Sequence, residues 1–218
     1  MVEILLMRHG ETSWNIERRI QGHRDIPLNK RGKNQSISLA KVFEKKKISS
    51  IYSSDLKRAS ETALQISKVT KIDVDTRIGL RERCFGLFEG LKYDEIINYF
   101  PKEFKAWRSR NPNLKIPYKK EESETLIEFY NRSIKTIIDI FKKYENERIA
   151  VITHGGVLDC MFRLAKNKPL IDKRDFPLLN ASINSIVWNG NKFFIKYWAD
   201  ISHLGKSLDE IDIQHPIY

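Results

Sequence analysis

The sequence predicts an α/β fold, a mainly parallel sheet with helices on both faces, and two observations carry that reading. Short runs of strand type (Val2–Met7, Ile48–Ser53 and Arg148–Thr153) alternate with longer stretches whose apolar residues recur at helical spacing, which argues a mainly parallel sheet covered on both faces. The opening run is apolar enough to read as a buried strand, and Arg148–Thr153 is the most strand-like stretch of the chain.

Taken in order, the first strand stops at Arg8-His9-Gly10, and Trp14 to Leu28 carries turn residues with no period, a loop over that strand end. Asn29 is placed to cap a helix over Arg31–Lys46, with Ile37, Ala40 and Phe43 on one face. After the second strand, Ser54 or Asp55 is placed to cap a helix running to about Val69, which puts Arg58 in its first turn with Glu61 within reach as an ion-pair partner. Leu80–Gly90 is a glycine-punctuated loop in which Glu82 lies between Arg81 and Arg83. Helical patterns follow at Tyr93–Phe100 and from Pro101 through Trp107, and Asn111–Lys120 reads as a substrate-facing loop. Ser123 opens the longest helix, with Leu126, Tyr130, Ile134, Ile137, Phe141 and Tyr144 as its apolar stripe.

The third strand ends in His154-Gly155-Gly156 before a helix over Val157–Leu164, so the arrangement of the opening recurs there. Glycines at a helix N-terminus free backbone N–H groups for an anion. Ile183–Trp188 and Lys192–Trp198, joined by Asn189-Gly190-Asn191, read as a hairpin, and the tail beyond His203 as peripheral. Arg8, His9, Arg58 and His154 thus all fall at strand carboxyl ends, where open α/β sheets bind ligands.

Composition narrows the class. With 218 residues, 41% of them hydrophobic, the chain is expected to form one domain over residues 1–218. No apolar run reaches the roughly eighteen residues of a membrane span, and Val2–Met7 is too short for a signal peptide, so the expected compartment is the cytoplasm. Cys84 and Cys160 stand apart without metal-ligand spacing and read as reduced, buried thiols. The net charge of +11 is spread over short lysine groups near helix ends, a solvated surface rather than a nucleic-acid stripe.

With those residues assembled, the chain resembles the histidine phosphatase superfamily, in its phosphoglycerate mutase-like branch. Leu6-Met7-Arg8-His9-Gly10-Glu11-Thr12 through Asn15 resembles the opening signature, and Gly22, Asp25, Pro27, Leu28, Gly32 and Gln35 the loop and helix after it. Ser53-Ser54-Asp55-Leu56 with Arg58, Ala59, Glu61 and Thr62 resembles the second signature. Glu82, Phe85-Gly86 and Glu89-Gly90 match the third, and Thr153-His154-Gly155-Gly156 the last. The resemblance implies a nucleophilic His9 that becomes phosphohistidine and a clamp of Arg8, Arg58 and His154 on the phosphoryl oxygens. It further implies that Glu82 is the proton donor, with Asn15, Gln21, Gly22 and Gly155 as further substrate contacts. A transferring phosphoryl group spreads charge over three oxygens, which two guanidiniums and an imidazole can meet with no metal or other cofactor. For Glu82 to act as an acid its pKa has to rise, a shift its arginine neighbours oppose unless they point away.

Two departures bear on the reading. Ser123-Glu124-Thr125 lacks the glycine of the family's usual Gly-Glu-Ser. The cofactor-dependent mutases carry a longer insert with adjacent arginines, whereas Trp107–Lys120 holds only Arg108 and Arg110. A phosphatase of small phosphate esters is therefore expected ahead of a phosphoglycerate mutase or a silent phosphate-binding module. A homodimer is left open.

Overall fold

The computed structural model describes residues 1–117 and 123–204; the remainder of the 111–120 loop and the tail from 205 lie outside the described residues. Six strands form one sheet: β1 (Val2–Arg8), β2 (Ser50–Ser53), β3 (Val74–Thr76), β4 (Arg148–Thr153), β5 (Ile183–Trp188) and β6 (Phe193–Asp200), in the order β3-β2-β4-β1-β5-β6. The first four strands of that order are mutually parallel, and the β5–β6 hairpin adds antiparallel to β1. Gly190, at φ 98°, supplies the positive-φ position of the hairpin turn.

Alternate residues of the central strands point to opposite faces, and both faces are buried. Leu5, Met7, Ala150 and Ile152 pack with Leu39, Ala40, Ala59, Ala63 and Ile66 from α2 (Lys30–Val42) and α3 (Lys57–Thr70). Ile4, Leu6, Ile149 and Val151 pack on the other face with Phe129, Ile137, Leu158 and Met161 from α6 (Leu126–Phe141) and α7 (Gly155–Lys166). A smaller aromatic cluster around Phe88, Ile96 and Ile116 gathers α4 (Tyr93–Tyr99) and α5 (Pro101–Arg108) above the strand ends.

Several local expectations change. Asn29 caps α2 as expected, its side chain accepting from Gly32 N at 2.7 Å, but the helix ends at Val42. Ile37 is 46% exposed; the buried face is Gly32, Gln35, Ser36, Leu39 and Ala40, so the turn that packs on β1 carries small and amide residues. Neither Ser54 nor Asp55 occupies the N-cap of α3, which is Leu56; Asp55 instead accepts from Arg81 Nε at 2.8 Å. The longest helix opens at Leu126 with Thr125 as its cap. α1 (Ser13–Ile16) and β3 were not anticipated, being four and three residues long. Cys84 and Cys160 are free and buried. Among the described residues no helix is long and apolar enough to cross a membrane.

Candidate active site

β1 and β4 end side by side, with His9 N donating to Thr153 O at 3.0 Å, so the two strand-end histidines enter one pocket with ring centroids 5.2 Å apart. His9 is 3% exposed. Its Nδ1 lies 2.7 Å from the carbonyl of its own neighbour Gly10. A carbonyl can only accept, so Nδ1 carries the proton and Nε2 keeps its lone pair. Burial first, then Arg58 and Arg8, hold the His9 imidazole well below its ordinary range, which keeps the ring neutral.

The backbone behind His9 is fixed from three directions. Asn180 Nδ2 donates to His9 O at 3.0 Å, Ala181 N to Arg8 O at 3.1 Å, and Gly10 N to Thr62 Oγ1 at 3.1 Å. A side chain at Gly10 would meet the carbonyl of Gly32 at 2.5 Å, so the family-like glycine allows α2 to approach the strand end.

Arg58 is fully buried, as a clamp residue would be and a surface partner of Glu61 would not; the Glu61 carboxylate accepts from Leu28 N instead. Arg58 donates through Nη1 to Arg24 O at 2.8 Å, through Nη2 to Gly22 O at 2.7 Å, and through Nε to His154 Nδ1 at 3.2 Å. Burial lowers its pKa to about 10, which leaves it a cation at neutral pH. Arg8 donates to Leu178 O, and the backbone of Gly155 runs close beneath its guanidinium. His154 is the N-cap of α7 and is fully buried, with Nε2 2.9 Å from Ser54 Oγ; burial, then Arg58, hold it well below the ordinary imidazole range.

Glu82 reaches the same pocket from the loop before α4. Its Oε2 accepts from Gly156 N at 3.0 Å and its Oε1 from Arg83 N at 2.8 Å. The flanking arginines do point away: Arg81 binds Asp55, and Arg83 donates through Nε to Glu124 O at 2.9 Å. Arg132 of α6 holds the loop by donating to the carbonyls of Gly79, Arg81 and Glu82, and is itself paired with Glu124. Glu124 also accepts from Cys84 N at 2.9 Å, so the segment lacking the usual glycine still grips the loop.

The structure therefore assembles His9, Arg8, Arg58, Glu82, His154, Gly22 and Gly155. Asn15 is engaged in capping α1, its Oδ1 accepting from Thr12 N at 3.0 Å, and Gln21 adjoins Gly22 with a buried Oε1 that has no hydrogen-bond partner among the described residues. Sequence reasoning missed Ser54 as a site residue, along with Thr62, Arg132 and Asn180. Only Ser54 and Thr62 carried a signal, the family-like motif around Arg58. Among the described residues no group of three His, Cys, Asp or Glu side chains could hold a metal ion.

A mixed α/β sheet that delivers two neutral imidazoles, two arginines and a carboxyl to neighbouring strand ends defines an enzyme of the phosphatase class. The chain belongs to the histidine phosphatase superfamily (branch 1), whose family model matches residues 4–201. It is 42% identical over 205 residues to phosphoglycerate mutase-like protein 4 of Arabidopsis thaliana, covering 93% of this chain and 86% of that one. It is 36% identical over 206 residues to a metal-independent phosphoserine phosphatase of the same plant, covering 94% and 84%. Among solved structures, Bacillus stearothermophilus YhfR superposes with a TM-score of 0.84 at 31% identity, over 93% of this chain and 99% of that one.

Proposed function

We propose that the chain is a phosphomonoesterase that hydrolyses small phosphate esters through a phosphohistidine on His9. The observation that carries this reading is the His9 Nδ1 contact to Gly10 O, which leaves Nε2 as a neutral nucleophile inside a ring of fixed donors. Nε2 attacks phosphorus as the ester P–O bond breaks, and Glu82 gives its proton to the departing oxygen. Arg8 and Arg58 meet the charge on the phosphoryl oxygens; His154, expected to grip an oxygen as well, has both ring nitrogens facing Ser54 and Arg58 and steadies the Arg58 guanidinium instead. Water then attacks phosphohistidine, the P–N bond breaks, and Glu82 takes the proton that the water loses.

Hydrolysis is favoured over a mutase because one of the two insert arginines is already engaged. Arg110 donates through Nη2 to Asp159 at 3.0 Å and through Nε to Leu170 O at 2.7 Å, so it is held by the protein rather than presented to a second acidic group of the substrate. The mutase reading retains support in the name of the plant relative, and stimulation of 3-phosphoglycerate conversion by 2,3-bisphosphoglycerate would favour it. Within the same proposal the enzyme acts in the cytoplasm, as one domain, without a cofactor or a nucleic-acid partner.

Glu82→Gln tests the mechanism. An aryl ester such as p-nitrophenyl phosphate releases a stable anion without a proton, so the variant should give a burst of nitrophenol near one equivalent and accumulate phosphohistidine. An alkyl ester should give no burst. Wild-type turnover of both esters without phosphohistidine in rapid-quench mass spectrometry removes Glu82 from the reaction. Loss of activity in a chelator, restored by a divalent metal, overturns the metal-free clamp.

A further inference from the structure

We propose that Ser54 is a positioning residue that fixes the tautomer of His154 and, through it, the aim of Arg58. The proposal rests on the reading above only in that Arg58 grips the phosphoryl group; the tautomer itself follows from the contacts.

Ser54 is fully buried just beyond β2, and its backbone N donates to Ile152 O at 3.0 Å, so the register with β4 sets its place. Its hydroxyl oxygen stands 2.9 Å from His154 Nε2. By geometry alone either group could donate. The other side of the ring decides, because Arg58 Nε lies 3.2 Å from His154 Nδ1 and a guanidinium has donors only. Nδ1 has to accept, so it is unprotonated, and the proton of the neutral ring sits on Nε2. Ser54 Oγ is therefore the acceptor. Its second lone pair takes Leu56 N at 3.3 Å.

The chain of contacts runs Leu56 N–H and His154 Nε2–H to Ser54 Oγ, and Arg58 Nε–H to His154 Nδ1. Gly22 O and Arg24 O each take one N–H of Arg58, so three of its five N–H groups are committed, and one remains on each Nη for an anion. The direction of that pair depends on Nε finding a lone pair at Nδ1. If Ser54 loses its oxygen, Nε2–H is buried without an acceptor, a costly state that the ring escapes by moving its proton to Nδ1. There it meets Arg58 Nε–H donor to donor, and the guanidinium turns.

The test is nitrogen-15 NMR of protein labelled at histidine, at a pH where His154 is neutral, with kinetics on an alkyl phosphate and titration with inorganic phosphate. The wild type should show Nδ1 of His154 as the unprotonated nitrogen. Ser54→Ala should move the proton toward Nδ1, weaken phosphate binding and lower kcat/KM about tenfold, the low end of what losing a group that orients a functional histidine costs. A wild-type ring protonated at Nδ1 overturns the proposal, as does a Ser54→Ala protein with the wild-type tautomer and wild-type kcat/KM. The wild-type spectrum stands whether or not the variant folds. It also stands if no phosphohistidine is ever trapped, a result that would overturn the reaction scheme and leave the tautomer assignment intact.

Discussion

Gly156 is the position where one added methyl group should separate proton donation from everything else the pocket does. A Cβ built there would lie 2.1 Å from Glu82 Oε1 and 2.9 Å from the ring of Phe129, which is 2% exposed and packed in the core. Ordinary van der Waals contact begins at 3.4 Å, so the carboxyl has to retreat by about 1.3 Å, the difference between 3.4 and 2.1. That movement breaks the 3.0 Å bond from Gly156 N and takes the acid out of reach of a leaving oxygen. Misplacement by about 1 Å costs roughly a hundredfold, within the range that general acid catalysis supplies. Gly156→Ala should therefore lower kcat/KM for an alkyl phosphate about a hundredfold, or about 2.7 kcal/mol. For p-nitrophenyl phosphate, whose kcat/KM reports the phosphorylation half alone, the loss should stay within about threefold, since that leaving group needs no proton. Crowding Phe129 should cost about 1–3 kcal/mol of stability, measured in parallel by urea unfolding. Gly155→Ala gives the contrast: its Cβ would lie nearest to Arg8 Nε, at 3.5 Å, so any loss it causes should fall equally on the two esters. Equal losses on both esters, or a wild-type rate on the alkyl ester, would refute this account of Glu82.

Two further outcomes follow from burial. His9 and His154 are held neutral in the fold, with pKa values well below the ordinary 6.5, so their contribution to stability is present above pH 6.5 and is lost as pH falls from there toward the folded values. Stability should therefore fall as pH is lowered from 7.5 to 5.5. The stability gap between wild type and His154→Gln, from urea unfolding, should narrow over this range, whereas parallel profiles would show that His154 titrates normally. Arg58→Lys should lower kcat/KM about a hundredfold despite keeping the charge, because an ammonium cannot reach Gly22 O, Arg24 O and His154 while facing an anion. Near-wild-type kinetics of the folded Lys variant would show that the planar fork is dispensable.

Strand ends were legible because β1 and β4 are buried on both faces, and burial of that kind writes an unbroken apolar run that stops where chemistry begins. Arg8, His9 and His154 could be placed from that pattern, and Glu82 from the motif around it. The resemblance offered Arg58 as a clamp, but what holds it was not legible: its carbonyl partners, Gly22 and Arg24, come from a loop 34 to 36 residues away, and only the fold shows that the nearby Glu61 accepts from Leu28 N. Asn180 and Ala181 left no local trace for the same reason, since their partners on Arg8 and His9 lie across the whole chain. Ile37 was misassigned because a helix packing its small residues against a strand end can turn an isoleucine to solvent, a choice made by tertiary packing over periodicity.

The place of β1 between β4 and β5 has a consequence for when this protein becomes an enzyme. His9, the proposed nucleophile, lies at the end of β1, yet the strands that flank β1, Arg148–Thr153 and Ile183–Trp188, are made far later in synthesis, with only β6 among the strands to follow. A growing chain that has emerged only through α6 carries His9, Arg58 and Glu82 but lacks His154 and both strands that flank β1. The proposed nucleophile therefore meets its neighbouring strands only after the chain through β5 has been made, and a copy truncated before β4 should show no phosphatase activity.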